Sequence, residues 1–104
     1  MSGVDPIVKQ SYALIRKDLG LEEEWSFKDS ENDFDRLEDY LTHQISYLLD
    51  HDFARLANAF YRIDIPESEV TRLLSQTSKP ARALAKAVIE REKLKVLTRL
   101  KYRS

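Results

Sequence analysis

HDFARLANAFYRIDIPESEVTRLL, residues 51 to 74, decides how this chain folds, because two helical patterns meet inside it at a short joint. Phe53, Leu56, Ala57, Phe60 and Ile63 fall at i, i+3, i+4, i+7 and i+10, which is one face of a helix. In the joint, Ile63-Asp64-Ile65-Pro66, the residue types predict Asp64 as N-cap of a following helix, with Glu67 three residues on in capping-box position. Pro66 then sits in the first turn, where its missing N–H costs little. Glu67 and Glu69 place negative charge where the helix dipole favours it, and Val70, Leu73 and Leu74 supply the next apolar face. A turn this short predicts two helices that touch at an angle and bury their faces against each other.

Upstream lies the longest amphipathic run. Phe34, Leu37, Leu41, Ile45 and Leu48 step by three or four, flanked by Tyr40, Tyr47 and Leu49, and Asn32 or Asp33 can cap the start. Asp50-His51-Asp52 interrupts it. Acids are unfavourable at a helix C-terminus and favourable at an N-terminus, so one helix is expected to end near Leu49 and another to start near Asp52. A single bent helix is the alternative, because the apolar phase runs on through Phe53. Residues 21 to 32 carry no clean period. Trp25 and Phe27 alternate with polar neighbours, which predicts a strap pinned to the core by two aromatics, with an aromatic anchor for a partner as the alternative.

At the start, Asp5-Pro6 reads as an N-cap followed by Pro at the first helical position. Ile7, Ala13-Leu14 and Leu19, with Tyr12 and Ile15, form the stripe of a helix over 6–19, and Gly20 is its C′ residue. Downstream, Ser75-Gln76-Thr77-Ser78 is a polar linker. Ser78 or Lys79 then caps a last helix with Pro80 in its first turn. Ala81, Leu84, Ala85, Val88 and Ile89 give that helix a narrow face, which Leu94, Val96, Leu97 and Leu100 continue in a less regular phase. The fold class is all-α, a compact bundle of about five helices. A chain of 104 residues is expected to be a single domain, with an N-terminal helix and acidic strap over 1–32 and a helical core over 33–103.

Composition narrows the chemistry. Charged residues make up 34% and hydrophobic ones 42%, a globular balance rather than a disordered one. The absence of cysteine excludes disulfides and thiolate catalysis. No apolar run reaches the length of a membrane span and no signal peptide opens the chain, so a cytoplasmic location without membrane contact is expected. The net charge of −1 conceals two opposed segments. Residues 22 to 39 hold nine acids against Lys28 and Arg36, a balance of −7, and residues 79 to 103 hold nine bases against Glu90 and Glu92, a balance of +7. Equal and opposite segments are expected to face each other, within one chain or across a dimer.

Catalytic and metal chemistry find little support. Asp39 and His43 are i, i+4 neighbours that could share a ligand face, and His51-Asp52 is similar to the His-Asp pair of metal-dependent phosphohydrolases, but neither has the further ligands such a site needs. The serines lie in polar helix or linker contexts without a nucleophile elbow, and Gly3 and Gly20 cannot build a phosphate-binding loop. No cofactor, metal or enzymatic activity is expected.

Two features could contact nucleic acid. Residues 65 to 74 resemble the second half of a helix-turn-helix, which would place Glu67, Ser68, Thr71 and Arg72 in the major groove. Against this, Glu67 and Glu69 would face phosphates, Asp64 sits in the tight turn, and Phe60 stands where the first helix usually has Ala. A helix start capped by acids explains the same letters. On the last helix, Lys93, Lys95, Arg99, Lys101 and Arg103 could track phosphates, with Tyr102 stacking on a base. Favourable dipole ends, or neutralisation by the acidic segment, account for the same charges.

Asp52-Phe53, Leu56, Tyr61-Arg62-Ile63-Asp64-Ile65-Pro66-Glu67, Pro80-Ala81 and Val88-Ile89-Glu90-Arg91 resemble a family of small uncharacterised bacterial all-helical proteins over residues 34 to 102. The resemblance implies a bacterial, cytoplasmic, all-α module and carries no activity, cofactor or ligand. Tyr61-Arg62 is its most distinctive piece. Tyr61 could hydrogen-bond across the joint and Arg62 could pair with Glu90 or Glu92, with a binding role for the pair as the alternative. The functional expectation is a non-enzymatic, self-associating protein-interaction module, and the alternative is a nucleic-acid binder.

Overall fold

The computed structural model describes residues 6 to 21, residue 25 and residues 32 to 102. The expectations placed on Asp5, Glu22, Glu23, Glu24, Phe27 and Arg103 lie outside the described residues. Five helices follow in order: α1 (Pro6–Leu19), α2 (Asp33–His51), α3 (Phe53–Ile63), α4 (Glu67–Gln76) and α5 (Pro80–Lys101). They form a compact all-α bundle measuring 42 × 29 × 25 Å. Among the described residues no helix is long and apolar enough to cross a membrane.

α5 is the axis of the assembly. Its 22 residues span about 33 Å, and all four other helices pack against it. The reason is its composition. Leu84, Ala85, Val88, Ile89 and Val96 make one broad buried side, Ala83 and Ala87 add a half-buried second side toward α4, and the alanines let neighbours approach closely. Pro80 occupies its first turn, preceded by Lys79 as N-cap without a side-chain bond; the Lys79 N–H instead donates to Thr77 Oγ1 at 3.1 Å.

The break between α2 and α3 falls at Asp52. Its N–H donates to Leu48 O at 2.9 Å, closing α2, while its carboxylate accepts from the Arg55 N–H at 3.2 Å, opening α3. One residue therefore satisfies orphan backbone groups of both helices. At the start of α2, Asn32 is the N-cap but makes no side-chain cap bond, and the buried Asp33 binds Arg36 at 3.0 Å.

The joint after α3 differs from its expected form. Asp64 adopts the left-handed conformation, φ 78°, and closes α3 instead of capping α4. Its N–H reaches Phe60 O and Tyr61 O, and the Ile65 N–H reaches Phe60 O at 3.0 Å, the paired bonds of a Schellman closure. The N-cap of α4 is Pro66, without a side-chain bond. Nor do α3 and α4 clamp each other. α4 packs on α5, and α3 packs on α1, α2 and α5. The buried side of α3 is Leu56, Ala59, Phe60 and Ile63, whereas Phe53 and Ala57 are exposed. The stripe of α1 is also rotated from expectation, being Val8, Ser11, Tyr12, Ile15 and Leu19, with Ala13 in solvent. Ser11 is fully buried, not in a polar context.

Trp25 supports the strap reading. It lies against the core, 5.4 Å from the Tyr12 ring and stacked at 6.1 Å on Tyr40, with the Arg36 guanidinium 5.1 Å over it. Its N–H donates to Tyr12 Oη at 3.2 Å.

Candidate interaction surface

The opposed charge segments meet at Arg82. Arg82, near the start of α5, binds Glu38 at 2.6 Å and Asp39 at 2.9 Å on α2. This fork holds two carboxylates with one planar guanidinium. Asp39 is thereby turned away from His43, whose Nδ1 instead lies 2.8 Å from the Asp39 carbonyl oxygen; His51 Nδ1 lies 3.0 Å from Tyr47 O. Among the described residues no three of His, Cys, Asp and Glu stand together as a metal-holding set.

The basic run on α5 is divided. Lys93 lies 4.8 Å over the Phe34 ring, and Lys95 binds Glu92 at 3.1 Å and Arg62 O at 3.5 Å. Arg99 and Lys101 are exposed near the end of the helix. The expected pairing of Arg62 with Glu90 or Glu92 is replaced by two others: Lys95 takes Glu92, and Arg91 takes Asp64 at 3.3 Å. Tyr61 is 86% exposed and makes no bridge across the joint. Arg72 is exposed beside Glu69, at 3.7 Å, so its positive charge is partly matched by a neighbour one turn away. The residues singled out in the sequence thus do not form one cluster. Tyr61 and Arg62 are on α3, Arg72 on α4, and Lys93, Lys95, Arg99 and Lys101 are spread along α5.

Glu92, expected at the surface as a partner for Arg62, is instead enclosed, and no local pattern signalled its burial. It is fully buried, with Asp18 of α1 beside it and Lys95 offsetting its charge. The lysine contact is ionic; neither carboxylate oxygen has a well-directed hydrogen-bond donor. Burial disfavours the anion, and the Asp18 carboxyl adds to the effect, so the Glu92 carboxyl is pushed up to about 7.

One surface feature is an apolar groove. It measures about 900 Å³ and runs between α4 and α5, walled by Ile65, Pro66 and Leu73 on one side and by Ala83, Ala87 and Leu94 on the other. Asp64, Glu69, Lys86, Glu90 and Arg91 form its rim. Beyond it α5 continues with Leu97 and Leu100. Leu94, Leu97 and Leu100 are 51%, 44% and 40% exposed, where a continuation of the buried face was expected. The signal that could have found this strip was its spacing, because Ala83, Ala87, Glu90, Leu94, Leu97 and Lys101 step by four and three along a side of α5 that Val88, Glu92 and Val96 do not share.

No protein-family profile, curated protein or solved structure matches the chain.

Proposed function

We propose that the protein is a non-enzymatic interaction module that associates with itself through its last helix. The observation that carries this reading is the exposure of Leu94 and Leu97 in line with an apolar groove, with Leu100 exposed on its flank. Such continuous apolar surface marks a contact site on a soluble protein. The basic end of α5, with Arg99 and Lys101, adds an electrostatic contribution to the contact, and acidic side chains of another copy supply its complement.

Light scattering across a concentration series at low and high salt tests this reading. The expected result is a dimer that weakens as salt screens its charged part. A monomer throughout both series removes the proposal. Binding to nucleic acid is the second reading, favoured by the exposure of Arg99, Lys101 and Arg72. It requires retention on duplex DNA or RNA that declines steeply with salt, and no retention at low salt ends it.

A further inference from the structure

We propose that Asp18 and Glu92 form a proton-operated latch between the end of α1 and the middle of α5, closed while the two carboxyls share a proton and loosened when Glu92 ionises. The latch is independent of self-association. Glu92 is fully enclosed, yet neither of its oxygens receives a directed hydrogen bond. Buried polar atoms ordinarily have partners, so two orphaned oxygens on one side chain call for a cause. What meets them is a second carboxyl, Asp18, and the Lys95 ammonium at 3.1 Å. Two carboxyls in contact make a stable pair when a proton lies between them. With the proton on Glu92, its hydroxyl donates to Asp18, and the pair carries one negative charge against one lysine. Without it, two negative charges face one positive charge in a site closed to water.

The rest of the surroundings add no further cation. Among the described residues no charged side chain of α2, α3 or α4 acts on Glu92. From α3 comes the Arg62 carbonyl, which Lys95 also holds at 3.5 Å, so the lysine is shared. The neighbouring cations on α5 are engaged elsewhere, Arg91 with Asp64 at 3.3 Å and Lys93 over the Phe34 ring of α2. On α1, Arg16 donates to Leu21 O and Lys17 is exposed. The end of α1 is the part that gives. Glu92 sits inside a helix against which all four others pack, whereas Asp18 lies in the last turn of α1, where the helix dipole already disfavours an acid. Fraying that turn carries Asp18 into solvent and admits water to Glu92, with loss of the Arg55 bonds to Leu19 O and Gly20 O. The closed state binds the proton more firmly than the open one. Closure is therefore complete below about 4.5, the ordinary value of the carboxyl, and is lost as pH rises through about 7.

Hydrogen exchange of the α1 amides, corrected for the intrinsic rate at each pH, reads the latch with α2 as internal reference. Protection of α1 relative to α2 is expected to fall about tenfold or more between pH 4.5 and pH 8. Glu92→Gln, which keeps a neutral donor toward Asp18, is expected to abolish the fall. Asp18→Asn is expected to move the end of the fall about half a pH unit or more to the acid side, and Lys95→Met a similar distance to the alkaline side. Both of those side chains are partly exposed, so the two variants keep the test open even where Glu92→Gln fails to fold. Protection that is independent of pH, that falls equally in α1 and α2, or that falls unchanged in Glu92→Gln would overturn the latch. So would shifts of the same sign in the Asp18 and Lys95 variants.

Discussion

Helices α1 and α3 end with the same backbone closure, built from different residues. After α1 the Gly20 N–H donates to Lys17 O at 3.3 Å and the Leu21 N–H to Arg16 O at 3.0 Å. After α3, Asp64 and Ile65 repeat those bonds to Tyr61 O and Phe60 O. In both, the residue with positive φ is followed by a buried aliphatic one, Leu21 or Ile65. At α1 the left-handed position is glycine, and the free carbonyls of Leu19 and Gly20 accept bonds from Arg55 Nη2, the Leu19 one at 3.0 Å. At α3 it is aspartate, steadied by Arg91, while Lys95 reaches the Arg62 carbonyl. The difference teaches that the closure needs two backbone bonds and an apolar residue after the turn. Glycine lowers the strain of that turn but is not required for it.

The largest expected effect concerns the residue whose carbonyl each closure uses. Phe60 is almost fully buried, whereas Arg16 is half-buried and donates from Nε to Leu21 O at 3.2 Å. Phe60→Ala should cost about 3–5 kcal/mol in urea unfolding, through lost burial and the cavity left behind. Arg16→Ala should cost about 1 kcal/mol, the scale of one hydrogen bond. Equal losses would break the distinction between an apolar closure at α3 and a polar one at α1.

Glu92 tests what joins the two ends, since Asp18 lies in the last turn of α1 and Lys95 links Glu92 to the end of α3. Its carboxyl is held at about 7 in the fold, against an ordinary value of 4.5. A raised folded-state value means the folded chain holds the proton more firmly than the unfolded one. The resulting stability is complete below the unfolded value and is lost as pH rises through about 7. Glu92→Gln should therefore stabilise the protein by about 1–3 kcal/mol at pH 8 and have little effect at pH 4. Thermal melts of both chains across that range give the check, and a pH-independent difference would contradict it.

Smaller effects come from exchanging the turn residues. Gly20→Ala should cost about 1–2 kcal/mol, because φ is +64° and the added Cβ would lie 3.1 Å from Arg55 Nη2. Asp64→Gly should give a gain of about 0.5 kcal/mol, the relief of strain offset by greater freedom in the unfolded chain. Opposite signs in chemical unfolding sharpen the comparison; matching signs would defeat it. Smallest of all, Asp64→Asn keeps a residue that tolerates the left-handed region and loses only an exposed ion pair, so the change should lie within about 0.5 kcal/mol.

Several features were legible because their causes are local. Asp52 read as a break, since an acid flanked by two apolar runs suits a helix start, and it opens α3 as expected. Gly20 read as a helix end because glycine there has few other uses. Asp64 misled for the converse reason. Aspartate is a good N-cap and also tolerates the left-handed conformation, and Glu67 with Pro66 fits either assignment. Along α5, apolar residues on several sides blurred the period, so the step of three and four that sets Leu97 apart from the buried Val96 did not stand out.

By itself the sequence determined that the chain is helical and where its five helices lie to within a few residues, and it favoured a Trp25 tied to the core. These depend on periodicity, turn residues and the burial of a large aromatic, all written within short stretches. Only the tertiary structure decided that α4 rests on α5 instead of α3, that Arg82 gathers Glu38 and Asp39, that Glu92 is enclosed beside Asp18, and that the leucines at the end of α5 stay in solvent. The reason is that a helix's spacing fixes which residues share a side but not which neighbour covers it. That choice is settled by competition among all the apolar faces for contact, and α5, apolar on more than one side, drew every other helix to itself.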